Sequence, residues 1–152
     1  MTIEFKDITT ENWKECIMLT TNPDGKHTLL EAFVASNAVS IAQSKIQEGW
    51  IIKAVYADVM VGFVMYGYSE KDSYYELCRL MIDHKYQGSG YGKRSLLKVI
   101  DEMKKIEGCN EIFLSFDPDN HGAQNLYESV GFVDTGDLSG SEKVYVYKIK
   151  HA

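Results

Sequence analysis

The run Gln87-Gly88-Ser89-Gly90-Tyr91-Gly92-Lys93-Arg94 concentrates the chemistry needed to hold an anion. Closely spaced glycines let a backbone curl tightly, so that successive N–H groups converge, and a helix that starts at such a turn adds the positive end of its dipole. The neighbouring side chains agree in sign. Lys85, Lys93, Arg94 and Lys98 face only Asp83 within residues 83–98, a local balance of +3 in a chain whose formal charge is −6. A phosphate-bearing ligand fits that arrangement. The alternative is a turn that needs glycine for its geometry alone, followed by a solvated basic helix face.

Two common nucleotide motifs fail on spacing. A P-loop requires four residues between its first glycine and the Gly-Lys pair, then Ser or Thr. Three residues separate Gly88 from Gly92 here, and Arg94 follows the lysine. A dinucleotide fingerprint requires two residues before its last glycine, whereas Tyr91 stands alone between Gly90 and Gly92. Asp117-Pro118-Asp119-Asn120-His121-Gly122 with Glu128 imitates a calcium loop, but His121 occupies a ligand position and the preceding Ile112–Phe116 reads as strand rather than helix. Histidines 27, 84, 121 and 151 lack metal-ligand spacing, so no metal is expected. Cys78 has no evident histidine partner and reads as a buried strand cysteine rather than a nucleophile.

The turn also matches Gln/Arg-x-x-Gly-x-Gly at Gln87, Gly90 and Gly92, and there it resembles the coenzyme A pyrophosphate loop of the GCN5-related N-acetyltransferases (GNAT). Downstream, Asn120-x-x-Ala123-x-x-Leu126-Tyr127-x-x-x-Gly131-Phe132 is similar to a second segment of that family, in the correct order. The resemblance covers residues 50–150 well and residues 1–49 only by length and helix count. It implies acetyl-CoA as cosubstrate and direct attack of an amine through a tetrahedral intermediate. It also implies cofactor contacts from Leu80, Met81 and Ile82, from Gln87 to Lys93 (Gly88, Ser89, Gly90, Tyr91 and Gly92 included), and from Asn120, Ala123 and Tyr127. Tyr127 takes the part of the acid beside the coenzyme sulfur. Relatives acting on polyamines place an acidic residue near the position of Cys78, which is a departure here. Glu76, two residues earlier and so on the same strand face, becomes the candidate base, with a solvated carboxylate as the other reading.

Phe33–Gln43, Val61-Gly62-Phe63 and Glu142-Lys143-Val144 look like the bacterial spermine/spermidine acetyltransferases of that family. A polyamine pocket calls for spaced carboxylates and aromatic faces, for which Glu31, Glu76 and Glu142, with Tyr74, Tyr75 or Trp50, are the candidates. A protein, peptide or antibiotic amine as acceptor, and a non-catalytic acyl-CoA sensor, remain as alternatives. By analogy with relatives, Val144–Ile149 is expected to pair two copies in a homodimer.

These residues need elements to position them. The 152 residues suit one domain spanning the whole chain, with 45% hydrophobic and 25% charged residues, values that disfavour disorder. The acidic balance argues against nucleic acid and for cationic partners. The charged start MTIEFKDITT is unlike a signal peptide, apolar runs fall far short of a membrane span, and three scattered cysteines suit a reduced cytoplasm. Strands are expected at Ile3–Ile8, Trp50–Tyr56, Val59–Tyr66, Tyr74–Asp83, Ile112–Phe116, Phe132–Thr135 and Lys143–Lys150. Helices are expected after an N-cap at Thr10, over 28–48 with a break near Ser36-Asn37, over 91–107, and over 120–130. Strand, helix and strand between residues 74 and 116 demand a right-handed crossover and therefore a parallel pair. The fold class is mixed α/β: a mostly antiparallel sheet, one parallel pair of strands and flanking helices.

Overall fold

The computed structural model describes residues 2–150; His151 lies outside them. A seven-stranded sheet in the order β1-β2-β3-β4-β5-β7-β6 carries the fold. Its strands are β1 (Glu4–Lys6), β2 (Trp50–Ala57), β3 (Val59–Ser69), β4 (Tyr74–Ile82), β5 (Glu111–Phe116), β6 (Val133–Ser139) and β7 (Glu142–Lys148). All neighbours run antiparallel except β4 and β5, the expected parallel pair. The helices are α1 (Trp13–Met18), α2 (Asn37–Ile46), α3 (Tyr91–Lys104) and α4 (His121–Val130).

Strand alternation divides the buried residues between two faces. On one, Val64, Tyr66, Leu77 and Ile82 pack with Leu96, Val99, Ile100 and Met103 of α3, and α4 adds Leu126, Tyr127 and Val130. On the other, Phe63, Met65 and Met81 pack with Cys16 of α1, with Ile41 of α2 and with Val34. This is why α3 repeats its apolar residues at helical spacing while β3 is buried almost throughout.

Three local expectations change. Helix α1 starts at Trp13, because the Asn12 side chain folds back to accept from Thr9 N at 2.7 Å, so Thr10 is no cap. Helix α2 starts only at Asn37, capped by Ser36 Oγ accepting from Val39 N at 3.3 Å. Residues 28–35 instead form a loop pinched by a Leu30–Ala35 bridge. Finally, β7 pairs with β5 on one side and β6 on the other. The strand assigned to dimer pairing therefore has no open edge; the sheet's edges are β1 and β6.

The feature that shapes the site is an interruption in β4. Met65 pairs with Arg79 and Tyr66 with Leu77, which leaves Cys78 as the extra residue of a bulge. Alternation slips there: Tyr75 and Leu77 pack on the α3 face before it, and Leu80 and Ile82 after it. Between β4 and β5 the paired register is Glu76 with Phe113, so the two strands part beyond that point toward their C-terminal ends.

Candidate active site

The parting of β4 and β5 opens a cavity of about 810 Å³ between the sheet, the glycine turn and α4. Leu77 through Ile82 form its floor, Gln87, Gly88, Tyr91 and Gly92 one wall, and Asn120, Ala123, Leu126 and Tyr127 the opposite wall. Ser89, Gly90 and Lys93 are not among its lining residues, although the same turn carries them. Gly88 and Gly90 both take φ +84°, a left-handed conformation that only glycine adopts without strain. Gln87 Nε2 donates to Ile82 O at 3.0 Å and ties the turn to the end of β4. Helix α3 begins at Tyr91, on the wall of the cavity, so the positive end of its dipole favours an anion there. Across the cavity Asn120 caps α4, its Oδ1 accepting from Ala123 N at 3.2 Å. Tyr127 packs its ring on Phe116 and Phe132 at centroid distances of 5.5 and 5.8 Å.

A second cavity, of about 360 Å³, adjoins the first. Phe33, Val34, Cys78, Arg79 and Ser115 line both, so these residues are the shared wall. Asp72, Glu76 and Glu142 bring three carboxylates to the second chamber, against Lys71 and Arg79, with Trp50 as its aromatic face. Arg79 is turned onto α2, donating to Gln43 Oε1 at 2.8 Å and lying 3.3 Å from Cys78 Sγ. Ser115 Oγ donates to Glu142 Oε1 at 3.1 Å.

The electrostatics follow from this crowding. Burial first, and then the Asp72 carboxylate, push the Glu76 carboxyl up to about 7, outweighing the lowering pull of Arg79. Burial, and secondarily the Glu142 charge, push the Tyr127 phenol up to about 12. Burial also raises the Cys78 thiol to about 11, which keeps it protonated and unreactive at neutral pH.

The sequence candidates divide accordingly. Glu76 and Glu142 reach the second chamber together; Glu31 and Tyr74 do not. The Glu31 carboxylate accepts from the hydroxyls of Thr20 and Thr21 and from Thr21 N, clasping the loop whose residues 32–34 line the first cavity. Tyr74 stacks flat on Phe113 at 4.3 Å. Tyr75, on the other face, donates to Glu107 O. Sequence reasoning missed Asp72, Ser115 and loop residues 32–35. The helix expected over 28–48 covers loop 32–35, and Ser115 is signalled only by its place on the strand that parts from β4. No helix is long and apolar enough to cross a membrane, and no cluster of metal-ligating side chains occurs, among the described residues.

Comparison with known proteins adds a family. The Acetyltransferase (GNAT) family matches residues 9–132. Spermine/spermidine N(1)-acetyltransferase of Bacillus subtilis (strain 168) is 33% identical over 142 residues, covering 83% of this chain and 93% of that relative. The crystal structure of spermidine N-acetyltransferase from Vibrio cholerae in complex with CoA and spermine superposes with a TM-score of 0.69 at 18% identity, covering 95% of this chain and 92% of that one. The ribosomal-protein-S18-alanine N-acetyltransferase from Escherichia coli gives 0.70 at 19% identity, covering 99% and 96%. At such identities the two structures speak for the fold alone.

Proposed function

The chain belongs to the Acetyltransferase (GNAT) family and is an acetyl-CoA-dependent N-acetyltransferase, and from that premise we propose that the larger cavity takes acetyl-CoA and the smaller one a polyamine such as spermidine or spermine. The observation that carries the polyamine is the second chamber, where three carboxylates and Trp50 adjoin the acetyl-transfer point. Carboxylates pair with ammonium groups, and an indole face attracts a cation. The curated relative at 33% identity, named for spermine and spermidine, supports the same acceptor.

The residues divide the work. Backbone N–H groups of the glycine turn and of the first turn of α3 receive the coenzyme's pyrophosphate, helped by Gln87 and Asn120. Beyond the Cys78 bulge, the edge of β4 facing the cavity is released from pairing with β5, so backbone groups of Leu80, Met81 and Ile82 can polarise the acetyl carbonyl as negative charge develops on its oxygen. An alkylammonium with a pKa of about 10.4 must first lose a proton, a cost of about 4–5 kcal/mol at pH 7. Glu76, poised near 7, takes that proton through water. Tyr127 stays protonated throughout this pH range and donates a hydrogen bond to the departing sulfur.

Release of coenzyme A thiol from acetyl-CoA, measured with spermidine, spermine, aminoglycosides and peptides, tests the acceptor. Turnover with the polyamines is expected. Release with peptides alone overturns the polyamine reading, and tight acetyl-CoA binding without release to any amine makes the chain a sensor.

A further inference from the structure

Acetylation of an ammonium removes two protons from one nitrogen. The first leaves before attack, since only the neutral amine is a nucleophile. The second leaves as the tetrahedral adduct collapses, because the nitrogen that has just bonded to carbon carries a positive charge until it loses a proton. Of the two, one ends on the coenzyme sulfur and the other in solvent. Glu76 accounts for the first. Tyr127 does not supply the sulfur outright: burial pushes its phenol up to about 12, which makes it a weaker acid than a thiol of about 8.5. The proton that leaves nitrogen as the adduct collapses therefore needs a polar group within reach where the two chambers meet, and Ser115, hydrogen-bonded to Glu142, stands there.

We propose that Ser115 and Glu142 accept that proton: the Ser115 hydroxyl, in the wall common to both cavities, takes the second proton from nitrogen while passing its own to the Glu142 carboxylate. The inference rests on the two-chamber reading above. Ser115 and Phe113 lie on one face of β5, opposite the buried Ile112, Leu114 and Phe116, and at Phe113 the strand pairs with Glu76 of β4. Two residues further on, past the last paired position, Ser115 stands beside the parted strands. Glu142 opens β7, and Ser115 pairs there with Val144. In the step, the nitrogen–carbon bond has formed and the carbon–sulfur bond breaks with its electron pair on sulfur. The nitrogen proton moves to Ser115 Oγ and the hydroxyl proton to Glu142. Glu142 then returns the proton to solvent through the polar second chamber, and the thiolate takes up the proton held by Glu76.

The electrostatics give this route a consequence. The Glu142 charge raises Tyr127, Glu76 and Cys78 alike, so it sits among the reacting groups, with Asp72, Lys71 and Arg79 as the remaining charges of that chamber. When Glu142 receives a proton its charge disappears. Tyr127 then becomes a stronger donor at the moment the sulfur departs.

Steady-state kinetics of Ser115→Ala, Ser115→Thr, Glu142→Gln and the double variant Ser115→Ala/Glu142→Gln, with acetyl-CoA affinity measured by calorimetry, provide the test. Ser115→Ala and Glu142→Gln are each expected to lower kcat at least tenfold with acetyl-CoA affinity unchanged, the double variant to fall no further than the worse single, and Ser115→Thr to recover most of the loss. Multiplicative losses, a Glu142→Gln effect confined to the amine KM, or a Ser115→Ala kcat near wild type overturns the relay while wild-type turnover keeps the two-chamber reading intact. Wild-type protein that releases no thiol with any amine overturns both.

Discussion

Tyr127 and Glu76 are pushed in the same direction by burial, and the consequences differ because one is needed protonated and the other is not. For Tyr127 the upward shift keeps the phenol protonated, as the proposed hydrogen bond to the departing sulfur requires. Tyr127→Phe keeps the ring contacts with Phe116 and Phe132 and removes only the hydroxyl. The expected result is a kcat at least tenfold lower with a thermal midpoint close to wild type; near-normal turnover removes Tyr127 from the chemistry. For Glu76 the shift places its titration inside the working range. The rate should rise with pH through about 7 as the carboxylate forms, and Glu76→Gln should erase that limb of the kcat/KM profile. Stability moves in the opposite sense. The folded protein binds the Glu76 proton more tightly than the unfolded chain, so stability falls as pH rises from 4.5 to about 7. Glu76→Gln escapes that cost and should be more stable than wild type by about 1–2 kcal/mol at pH 8, with little difference at pH 4.5. Urea unfolding at the two pH values checks the sign.

At the scale of the element, the glycine turn and the β4 bulge build the site in contrasting ways, and only the first is written locally. Gln87, Gly90 and Gly92 are legible because an anion-binding turn needs small residues at fixed positions whatever surrounds it. The crossover from β4 through α3 to β5 is legible because α3 repeats Leu96, Val99, Ile100 and Met103 at helical spacing. The bulge is not, since nothing in Leu77-Cys78-Arg79 announces an extra residue; it arises from how β3 and β4 pair. The place of Glu31 is hidden in the sequence for a similar reason. Its partners, Thr20 and Thr21, lie ten or more residues away, on a separate segment that meets the 28–35 loop only in the folded chain. The turn offers a clean test. A Cβ built at Gly90 meets no atom within 4 Å, so Gly90→Ala should suffer from its φ of +84° alone. That strain, on the order of 1 kcal/mol, should lower the thermal midpoint only modestly. Relief of the strain would turn the loop's N–H groups away from the anion, and acetyl-CoA affinity measured by calorimetry should drop at least fivefold while amine KM is retained. Unchanged affinity would mean that the turn's conformation is not what holds the coenzyme.

At the scale of the whole molecule, the proposed function divides charge between the two substrates. The chain sums to −6, yet residues 83–98 carry +3 and the remainder −9. Asp83, the one acid of that segment, is buried, with its carboxylate accepting from Thr20 N and Lys85 N. Net charge and local charge make opposite predictions for an anionic coenzyme. If the net −6 governed, added salt would screen a repulsion and tighten acetyl-CoA binding. If the +3 turn governs, salt weakens it. The local field should prevail, because at 0.1 M salt screening already acts within about 10 Å, and at 1 M within about 3 Å. In the proposed function the amine feels the complementary part, Asp72, Glu76 and Glu142 inside the chamber. Between 0.05 and 0.5 M salt, acetyl-CoA affinity should therefore fall, and kcat/KM for spermine should fall at least fivefold. The same constant for a simple monoamine should change less than twofold, since it carries a single charge into the same field. Equal slopes for spermine and monoamine would remove the acidic chamber as the source of polyamine selectivity, and acetyl-CoA binding that tightens with salt would remove the basic turn as its anion site.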